Sequence, residues 1–479
     1  MLEFFTGLLL LVIGYLTYGR FVEKVIGPDD RRTPAVSMHD GVDYVCLPHW
    51  KNMLIQLLNI AGVGPVIGVI IGIKFGAIVF LIIPIGNIIA GATHDFLAGM
   101  MSIRNGGSNL PSIVKDNLGG VYSKFFSVFT ILLLLLVVTV FINVPANLFN
   151  DLFPNTELFW WSVGAIFAYY ILATLFPVDK IIGKFYPFFG AVLIVGTAAI
   201  LCAIIYGLFE NPAILSESEA FRARMWNAAN GHPVIPLLFV TIACGIISGF
   251  HATQSPIIAR TMKTERQARS SFYGMMVLEG VIAMVWAAAG MAIYNAFPEY
   301  MAKNPNFVLL EIARYFLGEY VGVLTVAAVI VLAITTGDTA MRSVRLSFSE
   351  MFGISQKPLK NRILVSLPFV AVILALIVWS QTDAASFNNL WNYFAWGNQV
   401  LATSTLFAGA VWLFRQSKNG FVALLPAMFM CFIVVSYIAW ISPRHGGPVG
   451  FGADINLAYL IAGVLTLVAA VWVYRRGRK

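Results

Sequence analysis

Charged residues are scarce in this chain. Asp, Glu, Lys and Arg make up only 11% of its 479 residues, and hydrophobic residues make up 59%, whereas about 25% of the residues in soluble proteins are charged. This composition excludes a soluble globular domain and indicates an all-α polytopic membrane protein. The net charge of +8 does not indicate a nucleic-acid partner, because the basic residues lie in short segments between apolar runs.

Cysteine is also scarce. The four cysteines have no paired spacing, so we expect neither a disulfide framework nor a zinc site; they are Cys46, Cys202, Cys244 and Cys431. The chain contains no His-Glu-x-x-His and no Gly-x4-Gly-Lys-Ser/Thr, the motifs of zinc proteases and of ATP-binding loops. We therefore expect a protein that is not an enzyme and has no cofactor, with a bound Na⁺ as the one candidate ion.

Long apolar runs account for most of the chain. A helix of about 20 apolar residues crosses a hydrocarbon core of about 30 Å, and we predict thirteen transmembrane helices. With the N-terminus outside and the C-terminus inside, most Lys and Arg residues fall on the cytoplasmic side, as the positive-inside rule requires. The predicted spans are 2–19, 51–73, 75–103, 124–146, 158–176, 183–208, 233–254, 272–297, 320–338, 362–380, 387–414, 420–441 and 455–473.

One apolar run, residues 59–72, contains residues that break a helix. Gly62, Gly64 and Pro65 lie near the middle of the second predicted span. Glycine disfavours a helix, and proline lacks the N–H that continues it. Interrupted helices in transporters mark substrate and ion sites, so we predict a substrate site here. A packing kink stays open as the alternative, because glycines at four-residue spacing let a second helix come close.

The seventh predicted span, 233–254, has a similar interruption. Gly245, Ser248 and Gly249 weaken its middle, and we predict that they contribute to the same substrate site. Five spans separate the starts of the two interrupted spans. Because five is odd, the two sets of five cross the membrane in opposite directions, which predicts a five-plus-five inverted repeat.

The predicted organisation has four parts. No segment between the spans is long enough for a separate soluble domain. One helix precedes the two repeats, and two helices follow them. The parts are a first helix with a cytoplasmic loop at 1–50, a first repeat at 51–208, a second repeat at 233–414 and two C-terminal helices at 420–479.

Several ionisable residues lie in the cytoplasmic half of the predicted spans. Ionisable groups inside a membrane are functional candidates, so we predict an ion-coupling site or a moving inner gate. An ion-pair network that only closes the inner side stays open as the alternative. The residues are His94, Asp95, His251, Glu279 and Asp338.

Several segments resemble motifs of the carbon starvation protein family. The resemblance runs in order from about residue 39 to about residue 400. Two positions depart from the family pattern: Gly337 stands where alanine is more usual, and Cys46 stands where proline is frequent. The matching segments are 39–44, 61–65, 94–96, 247–256, 272–280 and 335–343.

The resemblance implies an importer of peptides or pyruvate in the inner membrane of carbon-starved bacteria. It also implies kinship with the amino acid–polyamine–organocation superfamily, which has a LeuT-like core of two inverted repeats. In sodium-coupled members of that superfamily, one cation lies between the first broken helix and the third helix of the second repeat. The resemblance implies that a bound Na⁺ would contact Ala61, Gly64, Thr335 and Thr336. Hydrogen bonds from the threonine hydroxyls to their own helix stay open as the alternative.

We therefore predict a secondary transporter that imports a small carboxylate-bearing nutrient and is driven by H⁺ or Na⁺. Exposed N–H groups at the two interruptions, on the positive ends of half-helices, would receive the carboxylate. A transporter-like nutrient sensor and a channel stay open as alternatives. The expected partners are the substrate and membrane lipid, while the choice between peptide and pyruvate and the oligomeric state are left undetermined.

Overall fold

The fold is helical throughout its described part. The computed structural model describes residues 1–41, 44–153, 158–175, 178–356 and 358–479. Within these ranges there is no β-sheet, and the strand-like pairing is an isolated antiparallel bridge between Arg32 and Thr264. Two residues of the predicted motif at 39–44, Val42 and Asp43, lie outside the described residues.

The described residues of the first half of the chain form eleven helices. They are α1 (Leu2–Leu16), α2 (Tyr18–Ile26), α3 (Pro34–Ser37), α4 (His49–Ile60), α5 (Gly64–Gly72), α6 (Val79–Gly86), α7 (Ala92–Arg104), α8 (Leu110–Leu118), α9 (Gly120–Leu152), α10 (Phe159–Leu175) and α11 (Val178–Glu210). A π-helical turn at Asn87–Gly91 continues α6 into α7, so that these two helices form one span.

The second half contains one strongly divided segment followed by long helices. The helices are α12 (Glu219–Arg222), α13 (Phe239–Thr241), α14 (Ala243–Ile246), α15 (Gly249–Ala259), α16 (Met275–Ala296), α17 (Pro305–Phe352), α18 (Leu359–Ser380), α19 (Ala384–Arg415), α20 (Phe421–Trp440) and α21 (Ile455–Gly477). A π-helical turn at Arg269–Gly274 leads into α16. Gly318, with φ of 72°, breaks the helical path of α17 near its start.

Nine helices in the described part of the chain are long and apolar enough to cross a membrane. The count is ten if α4 and α5, which are bent by 46°, form one span. Every predicted span overlaps helical residues. The predicted spans that are not among these ten helices correspond to the short α10, the divided seventh segment and α19. The prediction of an all-α polytopic membrane protein is confirmed. The number thirteen, the four-part division and the inverted repeat stay predictions.

The loops at one end of the helices are joined by basic side chains. Arg104, at the end of α7, donates from Nη2 to the carbonyl oxygen of Gly27 at 2.6 Å. Arg476 donates from Nε to the carbonyl oxygen of Asn117, which connects the end of α21 to the end of α8. These contacts gather on one face segments that the charge pattern assigns to the cytoplasmic side.

The opposite end has its own set of contacts. The amino group of Met1 lies 3.3 Å from the carbonyl oxygen of Leu215. The turn between α5 and α6 is held by Glu217, whose Oε1 accepts the N–H of Ala77 at 2.9 Å. The N-terminus therefore lies at the same end as the segment between α11 and α12. Which end faces the cytoplasm stays a prediction.

A buried carboxylate holds the loop after α2 against α7. Glu265 is 0% exposed, and its two oxygens accept hydrogen bonds from Arg104 Nε at 3.2 Å and Arg104 Nη2 at 3.0 Å. Its Oε2 also accepts the backbone N–H of Asp29 at 3.1 Å. A buried charge is tolerated only when it is paired and hydrogen-bonded. Glu265 and Arg104 therefore depend on each other, a pairing that the sequence analysis did not identify.

We predict that Glu265→Gln destabilises the protein by about 3 kcal/mol, because the change leaves the charge of Arg104 without its buried partner. Thermal unfolding in detergent micelles should show a lower Tm. Asp30→Asn is the matched control, since the Asp30–Arg266 pair is exposed and surface pairs contribute little. Equal losses of Tm in the two variants would contradict this role of Glu265.

Candidate functional site

The second span is interrupted at the residues that the sequence indicates. α4 ends at Ile60, residues 61–63 are not helical, and α5 begins at Gly64. Pro65 lies in the first turn of α5, where the N–H that it lacks would have had no helical partner. The interruption thus leaves Gly62 between two half-helices.

The seventh predicted span is interrupted as well. Two extended residues, Ile247 and Ser248, separate α14 from α15, which begins at Gly249. The first N–H groups of a helix have no partner within it. One of them, the N–H of Phe250, donates to Oδ1 of Asn398 on α19 at 2.8 Å. A side chain of a neighbouring helix therefore supports the opened backbone.

Asn87 supports the same interruption from the other side. Its Nδ2 donates to the carbonyl oxygens of Gly245 at 3.2 Å and Met276 at 2.9 Å. Neither Asn87 nor Asn398 was predicted as a site residue. A single amide such as Asn87 is ordinarily a contact between helices, and Asn398 lies among several amides of its span, which indicate a water-facing surface. The signal that could have found them is an amide within a span, in a chain that also contains a broken helix whose backbone groups need partners.

The glycines of the two interruptions allow close packing. A Cβ atom at Gly64 would lie 2.6 Å from Sγ of Cys244, and one at Gly68 would lie 2.9 Å from the carbonyl oxygen of Thr241. A Cβ atom at Gly249 would lie 2.4 Å from backbone atoms of α19. The packing alternative therefore describes these positions. Their role in substrate binding stays a prediction, and a larger residue at Gly64 would disturb helix packing first.

Gly62 faces the long helix α17. A Cβ atom there would lie 3.5 Å from Oγ1 of Thr336, a buried hydroxyl that has no hydrogen-bond partner within the described residues. The hydroxyl of Thr335 instead donates to the carbonyl oxygen of Leu332 in its own helix at 2.9 Å. Among the predicted Na⁺ ligands, Thr336 thus lies beside the interruption that follows Ala61, while Thr335 is already hydrogen-bonded.

Four of the predicted ionisable residues form a row of buried side chains, named here the acid–base chain. His94 Nδ1 lies 2.8 Å from Asp95 Oδ1, and His251 Nδ1 lies 3.0 Å from Asp95 Oδ2. On the far side of its ring, His251 Nε2 lies 3.8 Å from Glu279 Oε2. All four side chains are at most 2% exposed. The acid–base chain joins α7, α15 and α16, with His251 two residues beyond the start of α15.

The chemistry of the acid–base chain follows from its hydrogen bonds. Asp95 can accept hydrogen bonds from both imidazoles only if each carries a proton on Nδ1, which makes the Asp95 carboxylate the negative centre of the acid–base chain. The two oxygens of Glu279 are buried without a hydrogen-bond partner in the described part of the protein. A second buried negative charge would be costly unless His251 were positively charged. A proton can therefore reside on Glu279 or on Nε2 of His251.

Asp338 does not belong to the acid–base chain. Its Oδ2 lies 3.6 Å from Nη2 of Arg342, four residues further along α17. The same Nη2 donates to the carbonyl oxygen of Ala173 at 3.0 Å. The alternative of an ion pair that ties helices together therefore describes Asp338, and its predicted part in ion coupling is left without a geometric partner.

Known proteins share this sequence pattern. The sequence matches the family described as Carbon starvation protein CstA over residues 1–229, 153–313 and 308–437. An uncharacterized membrane protein of Haemophilus influenzae is 40% identical over 62% of this chain and 92% of its own length. The peptide transporter CstA of Bacillus subtilis is 25% identical over 96% of this chain and 95% of its own length. That of Escherichia coli is 26% identical over 93% and 81%.

Solved structures share the fold. The manganese transporter of Eremococcus coleocola superposes with a TM-score of 0.57 at 16% identity, covering 92% of this chain and 99% of its own. MhsT in complex with L-phenylalanine superposes with a TM-score of 0.54 at 14% identity, covering 89% and 98%. Both are transporters with a LeuT-like fold, which confirms the predicted fold class. The sequence match to the carbon starvation protein CstA family covers most of the chain, and this chain therefore belongs to that family.

Proposed function

We propose that this protein is a secondary active transporter that imports a small carboxylate-bearing nutrient, a peptide or pyruvate, across the bacterial inner membrane during carbon starvation. A membrane transporter, rather than an enzyme, is supported by relatives that are named peptide transporters. The observation that carries the mechanism is the pair of interrupted spans packed against each other, with a buried acid–base chain that includes a residue near the start of α15. The N-terminus outside and the C-terminus inside are part of the proposal.

The substrate site lies at the two interruptions. The segments that form it contain Gly62, Gly64 and Pro65 in one span and Gly245, Ser248 and Gly249 in the other. α5 and α15 each begin at an interruption, and the N-terminal end of a helix attracts a carboxylate through its free N–H groups and its dipole. A peptide and pyruvate both carry the carboxylate that such a site would bind.

Proton coupling would use the chain of His94, Asp95, His251 and Glu279. His251 lies on α15, so a movement of α15 on substrate binding changes its distance to Asp95 on α7 and to Glu279 on α16. Separation of His251 from Glu279 makes a charged carboxylate at Glu279 more costly. Glu279 would then hold its proton through the change of access, while contact with His251 would favour its release.

Sodium coupling is a second candidate because Thr336 offers a buried hydroxyl without a partner beside Gly62. Oxygen atoms are the ligands that hard cations prefer, and the interruption of the second span frees backbone carbonyl oxygens near the same place. The cation would lie between the residues from Ala61 to Gly64 and Thr336. Thr335 would be a weaker ligand, since its hydroxyl already donates to Leu332.

The transport proposal predicts accumulation of substrate that is driven by an ion gradient. In proteoliposomes, labelled pyruvate or dialanine should accumulate saturably when a proton or sodium gradient is imposed, because alternating access couples the two movements. A channel would give flux without accumulation, and a sensor would give binding without flux. Either result would overturn the transporter proposal.

Proton coupling predicts a selective defect in Glu279→Gln. This variant keeps the shape of the side chain but cannot release a proton, so accumulation driven by a pH gradient should be lost while exchange of internal for external substrate continues. Glu279→Asp, which keeps the acid, should retain part of the accumulation. Loss of exchange together with accumulation in Glu279→Gln would indicate a structural role instead.

Sodium coupling predicts a difference between two neighbouring threonines. Thr336→Val removes the unpartnered hydroxyl with little change in shape, and we expect the sodium concentration for half-maximal uptake to rise by about tenfold or more, the effect of losing about 1.4 kcal/mol of binding. Thr335→Val is the matched control and should change it far less. If uptake by wild type, Thr336→Val and Thr335→Val is unchanged when sodium is replaced by choline, sodium coupling is excluded.

A further inference from the structure

A cavity of about 370 Å³ opens at the end of the molecule that carries the N-terminus. It lies between the outer parts of the two interrupted spans, the segment before α17, the first turns of α19 and the turn after α20. Small-molecule sites have volumes of about 300–1,000 Å³. The cavity is therefore large enough for a small organic molecule.

One wall of this cavity carries a buried positive charge. Lys74 is only 7% exposed, and its Nζ lies 5.1 Å from the ring centre of Trp226 and 5.9 Å from that of Tyr294. It forms no ion pair within the described residues. Glu217, the carboxylate that holds the adjoining turn, pairs with Arg222 at 3.5 Å.

Aromatic faces compensate part of the cost of burying this ammonium group. A buried charge without a counter-ion nevertheless destabilises a protein, and an apolar residue of similar size would be tolerated equally well or better. The position of Lys74 is thus unfavourable for stability alone. This contrasts with Arg104, whose buried guanidinium group is paired with Glu265.

The rest of the wall carries polar and basic side chains and no carboxylate among its described residues. The lining includes Lys303, His445 and the amides of Asn388 and Asn392, and none of the described lining residues is Asp or Glu. His232 stacks on Trp226 with ring centres 4.5 Å apart. Burial and the charge of Lys74 lower the pKa of His232, which favours the neutral form of its ring.

We infer that this cavity is an outer binding site for the carboxylate of a small organic acid or peptide, with Lys74 as the counter-charge. The ammonium group would donate charge-assisted hydrogen bonds to the carboxylate, and the amides of α19 would bind its remaining polar atoms. This inference rests on the proposed function for the class of ligand. It adds a site that is distinct from the interruptions at Gly62 and Ser248.

The test is equilibrium dialysis of the purified full chain in detergent, with labelled pyruvate and labelled dialanine as probes. Wild type should bind two equivalents of the probe that it recognises, and Lys74→Met should bind one. Lys74→Arg keeps the charge and should bind two. Arg224→Met is the control, because it removes a positive charge from an exposed position that does not line the cavity, and it should also bind two.

Two further measurements separate binding from folding. The Tm of Lys74→Met should equal or exceed that of wild type, because the variant removes an unpaired buried charge; a clear fall in Tm would mean that Lys74 is a structural anchor and would overturn the inference. Dialanine amide, which lacks the carboxylate that both sites are proposed to bind, should bind to neither site.

The remaining outcomes are also decisive. A single equivalent in wild type, two equivalents in Lys74→Met, or no binding of either probe would each overturn the outer site. Two equivalents in wild type without any uptake in proteoliposomes would overturn the transport proposal and leave the outer site in place.

Discussion

Backbone groups that lose their helical partners inside a membrane need other partners, because the hydrocarbon offers none. The arrangement around the two interrupted spans depends on this constraint. Asn398 on α19 accepts the N–H of Phe250, and Asn87 donates to the carbonyl oxygen of Gly245. Two amides from separate helices thus hold open the segment that the glycines interrupt, and they tie the interruption to the helices that surround it.

Buried charge is governed by a related constraint, since an ionised group away from water needs a counter-charge. The described part of the protein meets it in three ways. Glu265 pairs with Arg104, and with Arg31 at 3.6 Å, at one end, which suits a fixed contact. Asp95 between two histidines, with Glu279 beyond them, forms a chain in which a proton can change places. Lys74 at the other end has aromatic faces but no carboxylate, which suits an anionic ligand.

These three arrangements lie at different levels of the molecule. The cavity of Lys74 is at the end with the N-terminus, and Glu265 is at the opposite end. The interrupted spans lie between these two ends, and they contribute Ile71 and Thr241 to the lining of the cavity. In the proposed mechanism, a ligand that enters through the cavity would meet Ile71 and Thr241 before it reaches Gly62 and Ser248.

Much of the fold could be predicted from the sequence, because the signals involved are local or depend on composition alone. A low content of charge indicates a membrane fold, and closely spaced glycine and proline, as at Gly62, Gly64 and Pro65, weaken a helix within an apolar run. The interruptions near Gly62 and Ser248 were therefore predicted, and the structure shows them at 61–63 and 247–248. The sequence also showed His94, Asp95, His251 and Glu279 within apolar spans.

Only the tertiary structure decided which of these residues meet. His251 lies 156 positions from Asp95 along the chain yet is within hydrogen-bonding distance of it, while Asp338 turns to Arg342. Asn398 and Lys74 acquire their importance from groups on other helices, and neither has a local signature. Periodicity and composition report what one segment contains, whereas partners across the fold depend on how helices pack, which is set by shape contacts such as that between Gly64 and Cys244.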